Sequence, residues 1–552
     1  MIFLFQCVAL PIAILLALLT PKRKRSRLHG LSRRFTKLAG HKRAAVALCG
    51  LAGFAASASL SAIRGIPVPE IHDEFSYLLA ADTFAHGRLT NPTHPMWRHF
   101  ESFHIIHQPT YASKYPPAQG LILAFGQVVF GQPAVGIWIS MGLMSAAACW
   151  MLQAWVPPRW ALLGGLLVAV QTEFQLNWGY SYLGAGLAYS GGAFVLGAIQ
   201  RLRQCAHVTS AIWLGIGLAL LANTRPFEGS VVSAIAGLSL LPRLFGRKRW
   251  SMRTIFMKIL LPLGAVLLPV AAGMAYYNQS VTGHFSRLPY AVHEEQYGIA
   301  PIFLISPINP DPGYRHEEMA KFHRVISIKP YMQLQRFSDW VPEFFERFLL
   351  FLLTYAQLTY SPLLLFLPAV CQRREMLFHL FLICTMLLVN ALITWRVSVY
   401  GSPVGSLILL LLIQAMRRLR VCHIRERPAG RSLTTSMVVI SIVSFGLLLS
   451  LQFLKRVVSD RAGWPTNRGY LLQQLEQETG KQLILVSYDE RHSTLQEWVY
   501  NRADIDAAKV VWARSMTPEE NRELMDYFKD RRVWALRVNA VSGIAKFEEV
   551  KR

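Results

Sequence analysis

The sequence predicts an all-α polytopic membrane protein of about twelve transmembrane helices, with a small α/β soluble domain at its C-terminal end. Three observations predict it. Of the 552 residues, 53% are hydrophobic and only 16% are charged, against roughly 25% charged in soluble domains. Many apolar runs approach or reach about 20 residues, the length that spans a bilayer. Lys and Arg gather in every second connection between those runs, which is the positive-inside pattern.

The apolar runs fall at about 2–19, 44–63, 133–156, 159–172, 182–200, 208–223, 229–243, 255–275, 346–369, 376–394, 400–416 and 433–454. The first has its charges after it rather than before it and lacks a small-x-small cleavage site, so it is expected to be a helix and not a cleaved signal. The connections 21–43, 157–160, 201–207, 242–254, 370–375 and 417–431 carry 26 Lys and Arg; the opposite set carries 12 over twice the length. The net charge of +25 therefore belongs to one membrane face and speaks against nucleic acid as a partner.

Two long loops, about 64–132 and 276–345, and a tail, 456–552, lie on the other side. The expected division is a membrane domain over 1–455 and an exported domain over 456–552. Within the first loop "PPAQGLILAFGQVVFG" reads as an interfacial helix opened by Pro116-Pro117. In the tail, "YLLQQLEQETG" predicts a helix stopped by Gly480. "KQLILVSY", "AKVVWAR" and "RVWALRV" predict strands, and Thr517, Pro518 and Glu520 mark a helix start. The seven cysteines, Cys7, Cys49, Cys149, Cys205, Cys371, Cys384 and Cys422, all lie in apolar runs or basic loops and make neither a disulfide framework nor a CxxC metal signal.

Chemistry points to "IHDEFSYLLAADTFAHG", which follows the second run by about ten residues. Adjacent carboxylates, Asp73 and Glu74, beside a membrane surface are costly unless solvated or employed. They read either as a hydrated pair, with Glu74 capping a helix that continues through "FSYLLAADTFAHG", or as a general base or metal ligand. His104 and His107, three apart, would share a helix face and could join Asp73 and Glu74 around a divalent metal; a hydrated loop is the plainer reading. Trp178, Tyr180 and Tyr182 read as an interfacial belt or a sugar-stacking wall.

The acidic pair after an early span, a loop of about 40 residues, and then Lys114-Tyr115-Pro116-Pro117 before a short apolar helix resemble the GT-C glycosyltransferases, the protein O-mannosyltransferases and bacterial aminoarabinose transferases among them. Those enzymes carry Asp-Asp, Asp-Glu or Glu-Asp in the first external loop and a Lys-Pro-Pro-like element; Tyr115 is the departure here. "YNQSVTGHFSRLPY" and "EWVYNRADIDAAKVVWAR" are similar to stretches of an uncharacterised bacterial branch of the group. The specific match covers about 73–131.

The resemblance implies an inverting transfer of a sugar from a polyprenyl-phosphate donor to an acceptor hydroxyl of a glycan, lipid or protein, at the external face of a bacterial inner membrane. It places the base on Asp73 with Glu74 in support, the reverse division remaining open. Lys114, Arg98, Arg225 and Arg396 are the external cations for the lipid phosphate, although Arg225 could instead pair with Glu228. Glu173, Tyr115 and Tyr297 are the expected substrate-binding residues, Tyr297 with Glu294 and Glu295. The alternatives are a polytopic transporter or flippase of a lipid-linked saccharide and a membrane-anchored binding protein working through its tail. A transporter would show repeated halves and charges at mid-bilayer depth; the sequence has no evident repeat.

Overall fold

The computed structural model describes residues 1–19, 29–247, 249–458, 464–539, 544 and 546–550. The basic stretch 21–28 and the junction 459–463 lie outside the described residues. Each of the twelve expected spans contains a helix, but not all of these helices are long. Six are long and apolar enough to cross a membrane: Lys42–Arg64, Ala134–Leu152, Met252–Thr282, Arg374–Ala391, Ser398–Arg420 and Ala429–Arg456. Phe337–Ala356 and Leu358–Cys371 add a seventh if they form one span bent by 100°. Ile2–Leu18, Pro158–Ala169, Val208–Ala222 and Pro226–Leu238 are apolar but only 12 to 17 residues long. By length and composition, six or seven helices among the described residues qualify as full crossings of an integral membrane protein, which leaves the expected count of about twelve unconfirmed. A sequence run counts apolar residues across a helix break, whereas a helix stops at Gln171 or Arg225 and turns.

Ala185–Gln204 and Ser398–Arg420 are almost wholly buried at the centre of the bundle. Lipid supplies no hydrophobic drive between helices, so close approach depends on small residues. At Gly192 a Cβ would lie 1.9 Å from the Pro403 carbonyl oxygen; only glycine lets these two elements meet.

The first long loop is folded. His72–Ala85 is a helix, and β1 (Asn91–Pro92), β2 (Ile105–Ile106) and β3 (Thr110–Ser113) form a small antiparallel sheet of order β1-β3-β2. The expected interfacial helix runs Pro117–Phe130, with Pro117 at its first position and Gly131 closing it at φ +70°. It packs on His72–Ala85, where Gly120 faces Ala80 and Phe84.

The C-terminal part holds β4 (Lys481–Tyr488), β5 (Val510–Arg514), β6 (Arg531–Val538) and β7 (Lys546–Glu549) in the order β5-β4-β6-β7. β4 is parallel to β5 and β6, and β7 is antiparallel to β6. Helices Trp464–Gln477 and Pro518–Tyr527 accompany the sheet. The predicted helix start is present: Glu520 N–H donates to Thr517 Oγ1 at 3.3 Å, and Thr517 N–H donates to Glu520 at 3.2 Å. Gly480 sits at φ +76°. β7 was not expected, its charged "KFEE" lacking an apolar alternation.

This sheet does not close its core alone. Phe75, Leu79, Phe100, Ile105 and Tyr111 of the first loop share one apolar cluster with Leu483, Trp498, Tyr500 and Trp512. Tyr500 stacks on Phe75 with ring centroids 4.0 Å apart, and Asp82 accepts the Ala503 N–H at 2.8 Å.

Candidate active site

Both members of the acidic pair lie in the first turn of His72–Ala85, where the unpaired backbone N–H groups favour negative charge. Glu74 is buried and fully engaged. One oxygen accepts from the backbone N–H of Glu70 (2.7 Å) and Ile71 (3.3 Å), the other from Ser181 Oγ (2.7 Å) and Tyr182 N–H (2.8 Å). It caps the helix and ties the loop to the membrane helices. Asp73 keeps 35% of its side chain exposed. It accepts from the Tyr115 hydroxyl, and His104 Nε2 stands 4.0 Å from its other oxygen.

Tyr115 carries Asp73 to the wall of a cavity of about 750 Å³. Lys114 and Arg225 are its lining cations, Glu228, Glu294 and Glu295 its carboxylates, and Tyr77, Tyr115, Tyr277, Tyr290 and Tyr400 its tyrosines. The rings are arranged around the charges: Tyr77 stacks on Tyr115 at 4.6 Å, Lys114 Nζ lies 4.7 Å from the Tyr290 ring centre, and Arg225 lies 5.0 Å from that of Tyr400. The cavity is mostly apolar in outline, with Phe227, Met274 and Phe303 among its walls.

The two cations differ. Lys114 is buried and pairs with Glu294 at 3.2 Å. Burial alone would raise the Glu294 carboxyl, but Lys114 and the His293 hydrogen bond hold it down at about 2. Arg225 has no carboxylate within ion-pair distance among the described residues, Glu228 included. It starts helix Pro226–Leu238 and keeps its guanidinium over Tyr400.

His104 sets the position of Lys114. It adopts φ +62°, in the left-handed region, which is sparsely populated by side-chain-bearing residues. Its carbonyl then accepts from Ser76 Oγ at 2.6 Å and from the Lys114 N–H at 3.3 Å.

The remaining expected residues lie elsewhere. Arg98 is exposed on a short 3-10 helix, Trp97–Phe100, outside the cavity. Arg396 is committed to Glu343 (3.4 Å) and Glu346. Glu173 hydrogen-bonds Asn177 at 3.1 Å and does not line the cavity. Tyr297 donates to Glu101 at 3.0 Å and lines a second, adjoining cavity of about 260 Å³ with Trp97, Tyr314 and Arg315; Glu295 and Pro312 border both. Trp178 and Tyr182 are buried, the former stacked on Phe174 at 4.3 Å, and Tyr180 bonds the Gly65 carbonyl. They make neither a belt nor a sugar wall.

A divalent metal does not fit the four residues named for one. Glu74 faces Ser181, and His107 stacks on Tyr111 at 5.2 Å. Among the described residues no group of three His, Cys, Asp or Glu is arranged to hold a metal ion. The sequence reading missed Tyr77, Tyr277, Tyr290 and Tyr400 as cavity residues. Tyr277 and Tyr290 are the two ends of the stretch "YNQSVTGHFSRLPY"; Tyr77 and Tyr400 carry no signal beyond being tyrosines near charged neighbours.

No family model and no curated protein sequence matches the chain. Solved structures do. ArnT from Cupriavidus metallidurans bound to undecaprenyl phosphate superposes with a TM-score of 0.51 at 11% identity, over 90% of this chain and 93% of that one. Its apo form gives 0.50 at 12% identity over the same shares. The chain has the GT-C fold. The apo oligosaccharyltransferase of Archaeoglobus fulgidus is also similar, at 12% identity and a TM-score of 0.39, over 88% of this chain and 69% of that one. The loop that carries Lys114 and Tyr115 meets the bundle end that carries Arg225 at this cavity, with Asp73 bonded to the Tyr115 hydroxyl behind its wall.

Proposed function

We propose that the chain is an inverting glycosyltransferase that moves a sugar from a polyprenyl-phosphate donor to an acceptor hydroxyl of a glycan, lipid or protein. The observation that carries this reading is the cavity itself: a mostly apolar chamber with two ring-flanked cations and, held behind its wall by the Tyr115 hydroxyl, the partly exposed Asp73 carboxylate, which has no cation within ion-pair distance other than His104 among the described residues. The GT-C fold supports it, one of its members having been solved with undecaprenyl phosphate.

In this reading Arg225 and Lys114 hold the lipid phosphate, whose negative charge grows as the sugar leaves. Asp73 takes the proton of the acceptor hydroxyl as its oxygen bonds the anomeric carbon. The bond from that carbon to the phosphate oxygen breaks, and the electron pair departs with polyprenyl phosphate. Attack from the face opposite the leaving group inverts the anomeric centre. Tyr115 holds the Asp73 carboxylate by its hydroxyl, and Glu74 holds the helix that presents it.

The cavity and the exported unit, 456–552, belong to the external face of a bacterial inner membrane in this scheme, and the arginine-rich loops to the cytoplasmic face.

The test uses purified chain in nanodiscs with a synthetic polyprenyl-phosphate sugar. Asp73→Asn should lower turnover by roughly 10²–10⁴-fold while undecaprenyl phosphate binds as before. Unchanged turnover in a well-folded Asp73→Asn protein overturns the base assignment; absence of polyprenyl-phosphate binding to wild-type protein overturns the donor class.

A further inference from the structure

At the other end of the bundle three short basic connections, 157–160, 370–375 and 417–431, come together around a cavity of about 370 Å³. Six arginines line it: Arg159, Arg373, Arg417, Arg418, Arg420 and Arg431. No carboxylate lines it, and none of the six forms an ion pair among the described residues. Two acids lie on these connections, and neither lines the cavity: Glu375 is taken by Arg203 at 3.1 Å, and Glu426 is exposed.

The arrangement is too specific for a diffuse positive-inside charge. Loop arginines that only set topology can spread into water, whereas these converge on one concavity at mutual electrostatic cost. Arg417 and Arg420 are half-buried among the neighbouring arginines. Arg417 is steadied by Gln414 at 2.7 Å, and Arg420 stands 5.9 Å from the Trp160 ring centre. A bound dianion would remove the repulsion, and the guanidinium fork matches phosphate oxygens in pairs.

Apolar side chains choose between phosphate sources. Trp160, Met376 and Val421 share the lining with the arginines. A free anion has no use for them; the glycerol and first acyl carbons of a lipid do. Basic pockets between transmembrane helices on the inner face are the usual seat of anionic headgroups.

We infer that this cavity binds the phosphate headgroup of an anionic membrane lipid. The site lies at the far end of Ser398–Arg420 from Tyr400, a 23-residue element roughly 35 Å long. It is therefore separate from the sugar-transfer chamber, and it stands or falls independently of the proposed activity.

Delipidated full-length protein would be titrated with phosphatidylglycerol or cardiolipin, with phosphatidylcholine, and with inorganic phosphate. Native mass spectrometry would count bound lipids and the melting temperature would report occupancy. The anionic lipids should bind with at least roughly tenfold preference over phosphatidylcholine and raise the melting temperature. Arg417→Gln, Arg420→Gln and Arg431→Gln together should weaken that binding by at least about tenfold, while the same residues changed to Lys should keep part of it. Arg247→Gln with Arg249→Gln, on the same face but outside the cavity, should leave it unchanged. Equal loss in the control pair, or equal retention in the Gln triple, overturns the site. Saturation by inorganic phosphate alone, with no further effect of lipid, overturns the lipid assignment. If the Gln triple does not fold, the Lys triple against wild type decides: no change in anionic-lipid affinity between them speaks for charge alone and against a shaped site.

Discussion

Asp73 and Glu74 are consecutive residues whose carboxylates serve different partners: Asp73 accepts from the Tyr115 hydroxyl at the cavity rim, and Glu74 accepts from four donors inside the protein. Neighbours on a helix point about 100° apart, so one pair of acids can supply one exposed and one buried group. Asp73→Asn should therefore abolish most turnover with little change in melting temperature. Glu74→Ala leaves four donors without their acceptor and should cost about 2–5 kcal/mol of stability, seen as a lower melting temperature and poor yield. If Glu74→Ala proved as stable as wild type and catalytically dead, the roles would be reversed.

Arg225 and Lys114 should separate in the same way. Arg225 makes no ion pair among the described residues, so its guanidinium is available to a ligand, whereas Lys114 already pairs with Glu294. Arg225→Gln should weaken undecaprenyl phosphate binding roughly 10–100-fold at constant stability, in line with one or two charge-assisted bonds. Lys114→Gln should weaken binding too, but also destabilise the fold by stranding the half-buried Glu294 carboxylate. Titration of labelled lipid into both variants, with melting curves alongside, checks the split; equal melting temperatures with equal affinity loss would refute it.

The membrane character, a helix in each apolar run and three of the four C-terminal strands were legible in the sequence because each rests on a local signal. Hydropathy marks Ala134–Leu152, a short apolar run marks β4, and Thr517 with Glu520 marks a cap within four residues. The crossing number was not legible, since composition does not show where Gln171 or Arg225 turns the chain. Asp73 and Lys114 stood out because acids and lysines are rare beside a bilayer. Arg98 and Arg396 stood out for the same reason and lie elsewhere, because what occupies an arginine is a tertiary fact: Glu343 and Glu346 are 50 or more residues from Arg396 in sequence. Tyr290 and Tyr400 reach the cavity only through packing of elements far apart in the chain.

The C-terminal unit should not be separable from the site. Its segment 494–514 meets the first loop through the stack of Tyr500 on Phe75, the His72 Nε2 donation to the Thr494 carbonyl at 2.9 Å, and Arg514 Nε donation to the Glu101 carbonyl at 2.8 Å. The hinge of this seam is the buried pair Arg514–Glu497 at 2.6 Å. Removing one partner of such a pair costs about 3–5 kcal/mol, and replacing both with apolar residues costs far less. Glu497→Leu should therefore make the first loop cleavable by protease at concentrations that spare wild type, and Glu497→Leu with Arg514→Met should restore much of the resistance. Deletion of 456–552 should expose Phe75, Phe100 and Tyr111 and lose sugar transfer along with the tail. Full activity of the truncated chain would show that the seam is not needed to hold Asp73.

The same seam should be acid-sensitive well above the carboxylate range. His72, His107 and His293 are buried, and burial is the main reason that each is lowered from 6.5 to about 4. They fold neutral, while the unfolded chain protonates them near 6.5. The folded state thus binds fewer protons between those values, and its stability is complete above pH 6.5 and falls as pH drops towards 4. Each histidine contributes at most about 3 kcal/mol over that interval. His107 and His293 also each leave Nε2 without a hydrogen-bond partner among the described residues, while His293 Nδ1 bonds Glu294 at 3.3 Å. Melting temperature measured from pH 7.5 to 4 should fall steeply below 6.5 for wild type and less steeply for His107→Gln with His293→Gln. Parallel curves for the two proteins would mean that other groups govern the acid limb.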